Sequence, residues 1–289
     1  MQIPRYWAKG RFAGVDGSGS PRNFTAWGWS SVSEQEAEKR GRERAKSGFL
    51  RVMSGEAGDG YGYLDTPLRE EVVQAVKSGD EEVGLITRNR YGALVLNTAR
   101  TMFVDIDRPA PANRGFIDGL KMAFSREHRE VREMETHNLV VDRVVSWSRS
   151  NPQYGFRLYQ TKAGYRLLFT NQLFDPESET VHRVFKELGT DRLYERLTTT
   201  QKCFRARLTP KPWRIGTERP DDRYPYTTAE AGNRFKRWLS NYEDLREKYQ
   251  VCTLIEKFGA GPDAHPEIRA VMEAHDRATC VGDERIALA

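Results

Sequence analysis

The sequence predicts an α+β fold built mainly from antiparallel strands. Three observations carry that expectation. Short β-branched and aromatic runs are punctuated by turn residues, charged segments with apolar residues at helical spacing lie between them, and the middle of the chain runs strand, helix, strand, strand, helix, strand. The 289 residues, 38% apolar and 11% aromatic, suffice for a full core in one large domain or two modest ones.

Aromatic-rich runs at 6–14 and 24–30, separated by Gly17-Ser18-Gly19-Ser20-Pro21, predict an N-terminal β-hairpin. Ser33 with Glu36 three residues later forms a capping box, and Ala37, Ala45, Phe49 and Leu50 carry a helix to about Met53. After a Gly-rich loop holding Tyr61 and Tyr63, Pro67 suits a first helical turn. Leu68, Val72, Val73 and Val76 then form a helical stripe that Gly79 ends. Runs at 83–87, 93–97 and 101–107 predict a central sheet, the first two joined by the turn Asn89-Arg90-Tyr91-Gly92. Phe116, Leu120, Ala123 and Phe124 place a helix in the charged segment 115–135. Strands are expected at 139–147, 156–160 and 165–170, the last two joined at Thr161-Lys162-Ala163-Gly164. A helix at 177–188, a turn or helix at 193–197 and a strand at 204–208 complete the order of a ferredoxin-like or RNA-recognition-like palm. Helices at 229–247 and 266–277 form a helical C-terminal appendage. The expected division is an N-terminal α/β portion over 1–82 packed on the palm, the palm itself over 83–216, and a helical region over 217–289.

Forty-six Lys and Arg against 41 Asp and Glu leave a net charge of +5 spread along the chain, which permits an anionic partner without demanding one. Cys203, Cys252 and Cys280 are odd in number and far apart, so they support neither a disulfide framework nor a zinc knuckle and fit a reducing compartment. The first residues hold no apolar signal core and no run approaches bilayer-spanning length, so a cytoplasmic protein without a membrane partner is expected.

Three segments have the residues for chemistry. In Met102-Phe103-Val104-Asp105-Ile106-Asp107, strand alternation sends both carboxylates to one face while Val104 and Ile106 enter the other layer. Paired acids at a strand's end repel, and a divalent cation bridging to phosphate oxygens relieves them. The plainer alternative has Asp107 held by Arg108 and Asp105 by a backbone donor. The hairpin turn around Lys162 and Gly164 can wrap a phosphate, with Arg166 reaching the same anion, or be an ordinary turn with Arg166 facing solvent. Finally, Arg205 and Arg207 share one strand face and need an anionic partner, while Pro210 and Pro212 disfavour helix and keep Lys211 extended, so that Lys211, Trp213 and Arg214 project from the exit loop. Trp213 either stacks on a base or plugs the core.

The order of these pieces resembles the archaeo-eukaryotic primase (primase-polymerase) superfamily over about residues 83–215. Asp105 and Asp107 match its hydrophobic-Asp-hydrophobic-Asp motif, and Thr161 to Arg166 resembles its second, small-residue and glycine motif. Arg166 stands where the family usually has a histidine that contacts nucleotide phosphates. For the family's final acid, Asp175 and Asp191 lie downstream, neither in a hydrophobic-Asp strand. The resemblance implies a nucleotidyltransferase with Asp105, Asp107 and Arg166 catalytic and Mg2+ or Mn2+ on Asp105 and Asp107. It further implies that Lys162, Arg166, Arg205, Arg207, Lys211, Trp213 and Arg214 bind a nucleoside triphosphate or nucleic acid. Two alternatives stand beside it. One is a non-catalytic nucleic-acid-binding module on a degenerate palm. The other is a metal-dependent nuclease or phosphoesterase drawing on His128, His137 or His182, although the five histidines, with His265 and His275, show no ligand spacing.

Overall fold

The computed structural model describes residues 1, 3–55, 67–109, 125–259, 265–279 and 286–289. Strands β1 (Tyr6–Val15) and β2 (Pro21–Ser30) pair antiparallel along their whole length, as the aromatic runs and glycine-rich loop predict. Helix α1 (Glu34–Met53) lies across the hairpin. The Ser33 side chain caps it by accepting from the Glu36 N–H, but the Glu36 carboxylate accepts from the Ser30 hydroxyl at 2.6 Å, so the box closes onto the hairpin.

Helix and hairpin meet backbone to backbone. A Cβ on Gly28 would lie 2.0 Å from the Ala37 carbonyl oxygen and 2.2 Å from the Gly41 nitrogen, neither of which can rotate away. Gly28→Ala is therefore expected to cost at least about 3 kcal/mol, the upper end of ordinary overpacking. Hydrogen exchange would read it as lost protection in α1 and the hairpin with the central strands unchanged; unaltered protection in α1 would refute it.

Two four-stranded antiparallel sheets make the body. One contains β3 (Glu71–Ser78), β4 (Glu81–Arg88), β5 (Leu94–Thr98) and β9 (Phe204–Arg207), in the order β3-β4-β5-β9. The other contains β6 (Phe103–Asp107), β7 (Phe156–Thr161), β8 (Gly164–Phe169) and β11 (Cys252–Phe258), in the order β11-β7-β8-β6. Helices α2 (Arg126–Ser150), α3 (Glu179–Leu188), α4 (Arg192–Gln201), α5 (Ala229–Arg246) and α6 (Pro266–Thr279) complete the described part, with a 3-10 turn at Pro212–Arg214 and a two-residue parallel pair between β10 (Tyr249–Gln250) and β12 (Ala287–Leu288). One core joins the sheets, running from Val83, Ile86 and Leu96 to Phe103, Leu158, Leu167 and Phe185. Every residue of β8 is buried, because α2 covers one face, where His137 meets Tyr165, and α6 the other, where Asp276 meets Arg157 and Tyr159.

The fold class is the expected one, an α+β chain with antiparallel sheets, and β6-α2-β7-β8 places β8 between β6 and β7 as a palm of this type requires. Several elements differ from expectation. Residues 71–78 are strand β3 rather than a helix: Val72, Val73 and Val76 are β-branched, and pairing with β4 decides in favour of the strand. Residues 139–147 belong to α2, because Val140, Val144 and Trp147, four and three apart, form the buried stripe of a helix. The central sheet divides, β4 and β5 in one sheet and β6 in the other. Strand β9 pairs with β5 instead of closing the palm, and the palm's fourth strand is β11, from the region expected to be helical. The boundary at 82/83 accordingly cuts β4, and the one at 216/217 separates β11 from its sheet. The loop at Tyr61 and Tyr63 and the helix start at 115–124 lie outside the described residues.

Candidate active site at the seam of the two sheets

Strand β6 is one edge of the palm sheet and β9 one edge of the other, and these two edges run together. Unpaired strand edges need partners, and two buried side chains supply them here. The Tyr194 hydroxyl of α4 donates to the Phe103 carbonyl at 2.9 Å and accepts from the Arg205 N–H at 3.2 Å. Arg166 on β8 donates from Nη1 to the Arg207 carbonyl at 2.9 Å.

The acids arise from β6 as alternation predicts. Asp105 pairs across the sheet with Arg166, Asp107 with Gly164, and the two carboxylates share the face that α6 covers further along. Arg166 is 1% exposed and donates to Asp105 from Nε to Oδ1 at 2.9 Å and from Nη2 to Oδ2 at 3.5 Å, while 35% of the Asp105 side chain still reaches solvent. Against its burial, the Asp105 carboxylate holds Arg166 above the ordinary guanidinium value. Neither plainer alternative describes the pair. Asp105 is held by a side chain, and the Arg108 guanidinium turns toward Glu133, 3.8 Å away.

Behind Arg166 the chain of contacts continues through the core. Its Nη1 lies 3.4 Å from Nε2 of His275, and since a guanidinium only donates, Nε2 must accept. Nδ1 of His275 then carries the proton and donates to Asp276 at 2.9 Å, and Asp276 also takes bonds from Tyr159 at 2.8 Å and Arg157 at 2.6 Å. Burial first, and the Arg166 charge with it, push the His275 pKa down, so the ring is neutral. His275, one of five histidines without ligand spacing, thus orients the arginine that orients Asp105.

A third acid joins the first two. Asp191 caps α4 by accepting from the Leu193 N–H, and its own N–H donates to the Asp105 carbonyl at 3.1 Å, which brings it beside β6. Burial, then the charges of Asp191 and Asp105, raise the Asp107 pKa, with Lys211 pulling the other way. No motif marked Asp191 over Asp175; the signal was its place before the helix it caps.

Facing the acids is a cluster of cations. Arg207 is half-buried and its pKa is pushed down to about 10 by burial and by the charges of Arg166 and Arg214. Lys211 is lowered by burial, Arg207 and Arg214, and Arg214 by burial. Among the described residues none of the three makes an ion pair, and buried nitrogens of Arg207 (Nε) and Arg214 (Nη1) lack a hydrogen-bond partner. Trp213, 51% exposed, does not plug the core; it stands edge-on to Tyr91 with ring centroids 5.2 Å apart, and the Lys211 ammonium lies 5.5 Å from its ring centre.

The structure corrects two expected ligand residues. Arg166 is sealed in the core, so it positions Asp105 and cannot itself grip a phosphate. Arg205 shares a strand face with Arg207 as expected, but it is committed to Glu70 through two bonds of 2.8 and 2.9 Å. Lys162 is exposed on its turn and makes no ion pair among the described residues. His137 bonds Tyr165, His182 faces Glu195 at 3.5 Å, and Cys203 and Cys252 are buried free thiols. Among the described residues no three Asp, Glu, His or Cys side chains close into a metal cage. No helix of the described residues is long and apolar enough to cross a membrane. Comparison with protein-family models, curated proteins and solved structures gives no match to the chain.

Proposed function

We propose that the chain is a metal-dependent nucleotidyltransferase of primase-polymerase type, acting at the seam between the sheets. What supports this is a single arrangement: three crowded carboxylates, Asp105, Asp107 and Asp191, beside three cations, Arg207, Lys211 and Arg214, that have no ion-pair partner among the described residues. Asp105 is paired with Arg166, but Asp107 and Asp191, like the three cations, have no ion-pair partner among the described residues. A polyphosphate carrying a divalent cation satisfies both, its metal against the acids and its oxygens against the cations. Magnesium is commonly held by one or two carboxylates together with substrate phosphates, so the reading asks for no cage of three protein ligands.

In this reading Asp105 and Asp107 would hold Mg2+ or Mn2+, with Arg166 setting the orientation of Asp105 and Asp191 adding negative charge beside them. The metal, when bound, neutralises charge on the phosphate oxygens. Arg207 and Arg214 grip the triphosphate, Lys211 bridges toward Asp107, and the exposed Trp213 offers a face to a base. The reaction is attack of a hydroxyl oxygen on the α-phosphorus. The bond from that phosphorus to the α–β bridging oxygen breaks, pyrophosphate leaves, and the hydroxyl proton passes to water.

Labelled nucleoside triphosphates, offered with manganese or magnesium on primed and unprimed templates, test the proposal. Incorporation is expected only with metal. Arg207→Met is expected to weaken triphosphate binding about 10- to 100-fold, the worth of one or more charged hydrogen bonds, without lowering the melting temperature, because it removes a repelled charge. Metal-independent binding of nucleic acid with no incorporation and no triphosphate binding would instead make the chain a binding module.

A further inference from the structure

Where α3 turns into α4 lies an open cavity of about 690 Å³ lined by His182, Arg183, Lys186, Thr190, Arg192 and Glu195. Asp191 follows Thr190 directly, so the cavity opens beside the residue whose N–H bonds the Asp105 carbonyl. Its chemistry differs from that of the seam. Arg183, Lys186 and Arg192 all line it, and a fourth cation adjoins it, since a Cβ on Gly189 would lie 2.9 Å from Arg143 Nη1. Among the described residues none of these four cations makes an ion pair, whereas Glu195, the carboxylate of the lining, faces His182 at 3.5 Å. The lining's aromatic ring, Phe185, is 1% exposed and presents no face for stacking.

We infer that this cavity is a phosphate-backbone site for the nucleic-acid strand that leads into the seam, an inference that rests on the reading of the seam as a nucleotidyltransferase site. Four cations without an ion pair among the described residues and no accessible ring fit a repeating anion read by charge, as nucleic-acid backbones are. Trp213 and Tyr91, on the Lys211 side of the acids, offer the aromatic surface that this side lacks. The strand's phosphates therefore run along α3 and α4, and its reacting end meets the triphosphate at Asp105, Asp107 and Asp191.

The test is binding of a fluorescein-labelled single-stranded oligonucleotide across a salt series, with a labelled triphosphate and manganese measured on the same proteins. All four cationic side chains are exposed, so Arg183→Ala/Lys186→Ala should fold normally. That variant is expected to lose at least tenfold in oligonucleotide affinity at low salt. Its salt slope should be shallower by about 1.4, or roughly 0.7 for each phosphate no longer neutralised. Triphosphate affinity should be unchanged. A charge-matched control on α5, Lys236→Ala/Arg237→Ala, should leave the slope alone. If the pocket variant binds oligonucleotide like the wild type, or no differently from the control, the pocket assignment is wrong while the seam reading stands. If it loses triphosphate binding equally, the cavity is part of the seam and the inference fails. If the wild type binds oligonucleotide through this pocket yet never takes up triphosphate, the backbone site holds and the enzymatic reading falls.

Discussion

Asp105→Asn is expected to destabilise the protein by about 3–5 kcal/mol, the cost of leaving a buried charge without its partner, and Arg166→Met by clearly less. The asymmetry follows from where water reaches. Arg166 is 1% exposed, so removing the Asp105 charge strands a guanidinium in the core with the Arg207 carbonyl and His275 as its neighbours. Removing the guanidinium instead leaves a carboxylate of which 35% of the side chain already meets solvent. The double variant Asp105→Asn/Arg166→Met should be more stable than Asp105→Asn alone, because it removes the stranded charge. Urea unfolding of the three proteins checks this. A double variant as unstable as the sum of the singles, or Arg166→Met as the worst of the set, would mean that the buried guanidinium does not govern the stability of this pair.

Asp107→Asn separates chemistry from stability at the same strand end. Asp107 makes no ion pair among the described residues, and partial desolvation first, then its neighbours Asp191 and Asp105, disfavour its charge. The sign follows: a carboxyl whose pKa is raised by folding binds its proton more tightly folded than unfolded, so its ionisation opposes folding once the pH exceeds the folded pKa. At neutral pH the Asn variant should be as stable as the wild type or more so, and the advantage should vanish on acidification, where Asp107 is neutral too. Metal-dependent incorporation, by contrast, should fall by about three orders of magnitude, the scale of losing a principal electrostatic group of an active site. Full incorporation by a folded Asp107→Asn protein would exclude this acid from the chemistry.

Much of the site was legible because strand alternation is a local rule. The run from Phe103 to Asp107 puts its two acids on one face whatever sheet it joins, and Arg205 and Arg207 share a face for the same reason. Helix caps are equally local, and Ser33, Ser178 and Thr228 each accept from the N–H three residues on. Asp191 carried only a capping signal, and nothing in the neighbouring sequence indicates that its backbone meets Asp105. The Val72, Val73 and Val76 spacing serves a helix stripe or a bulged strand, and pairing with β4 decided it.

By itself, then, the sequence determined the alternation of faces, the caps, the hairpin turns and the α+β class, because each depends on residues within a few positions of one another. Tertiary structure decided which strands became neighbours, and with that the function of each charge. It committed Arg205 to Glu70 and Arg166 to Asp105, left Arg207 without an ion pair among the described residues, and drew Asp191 and His275 toward a site their spacing does not announce. The reason is that a buried charge takes whichever partner the fold brings within reach, and that distance is set by packing across the chain rather than along it.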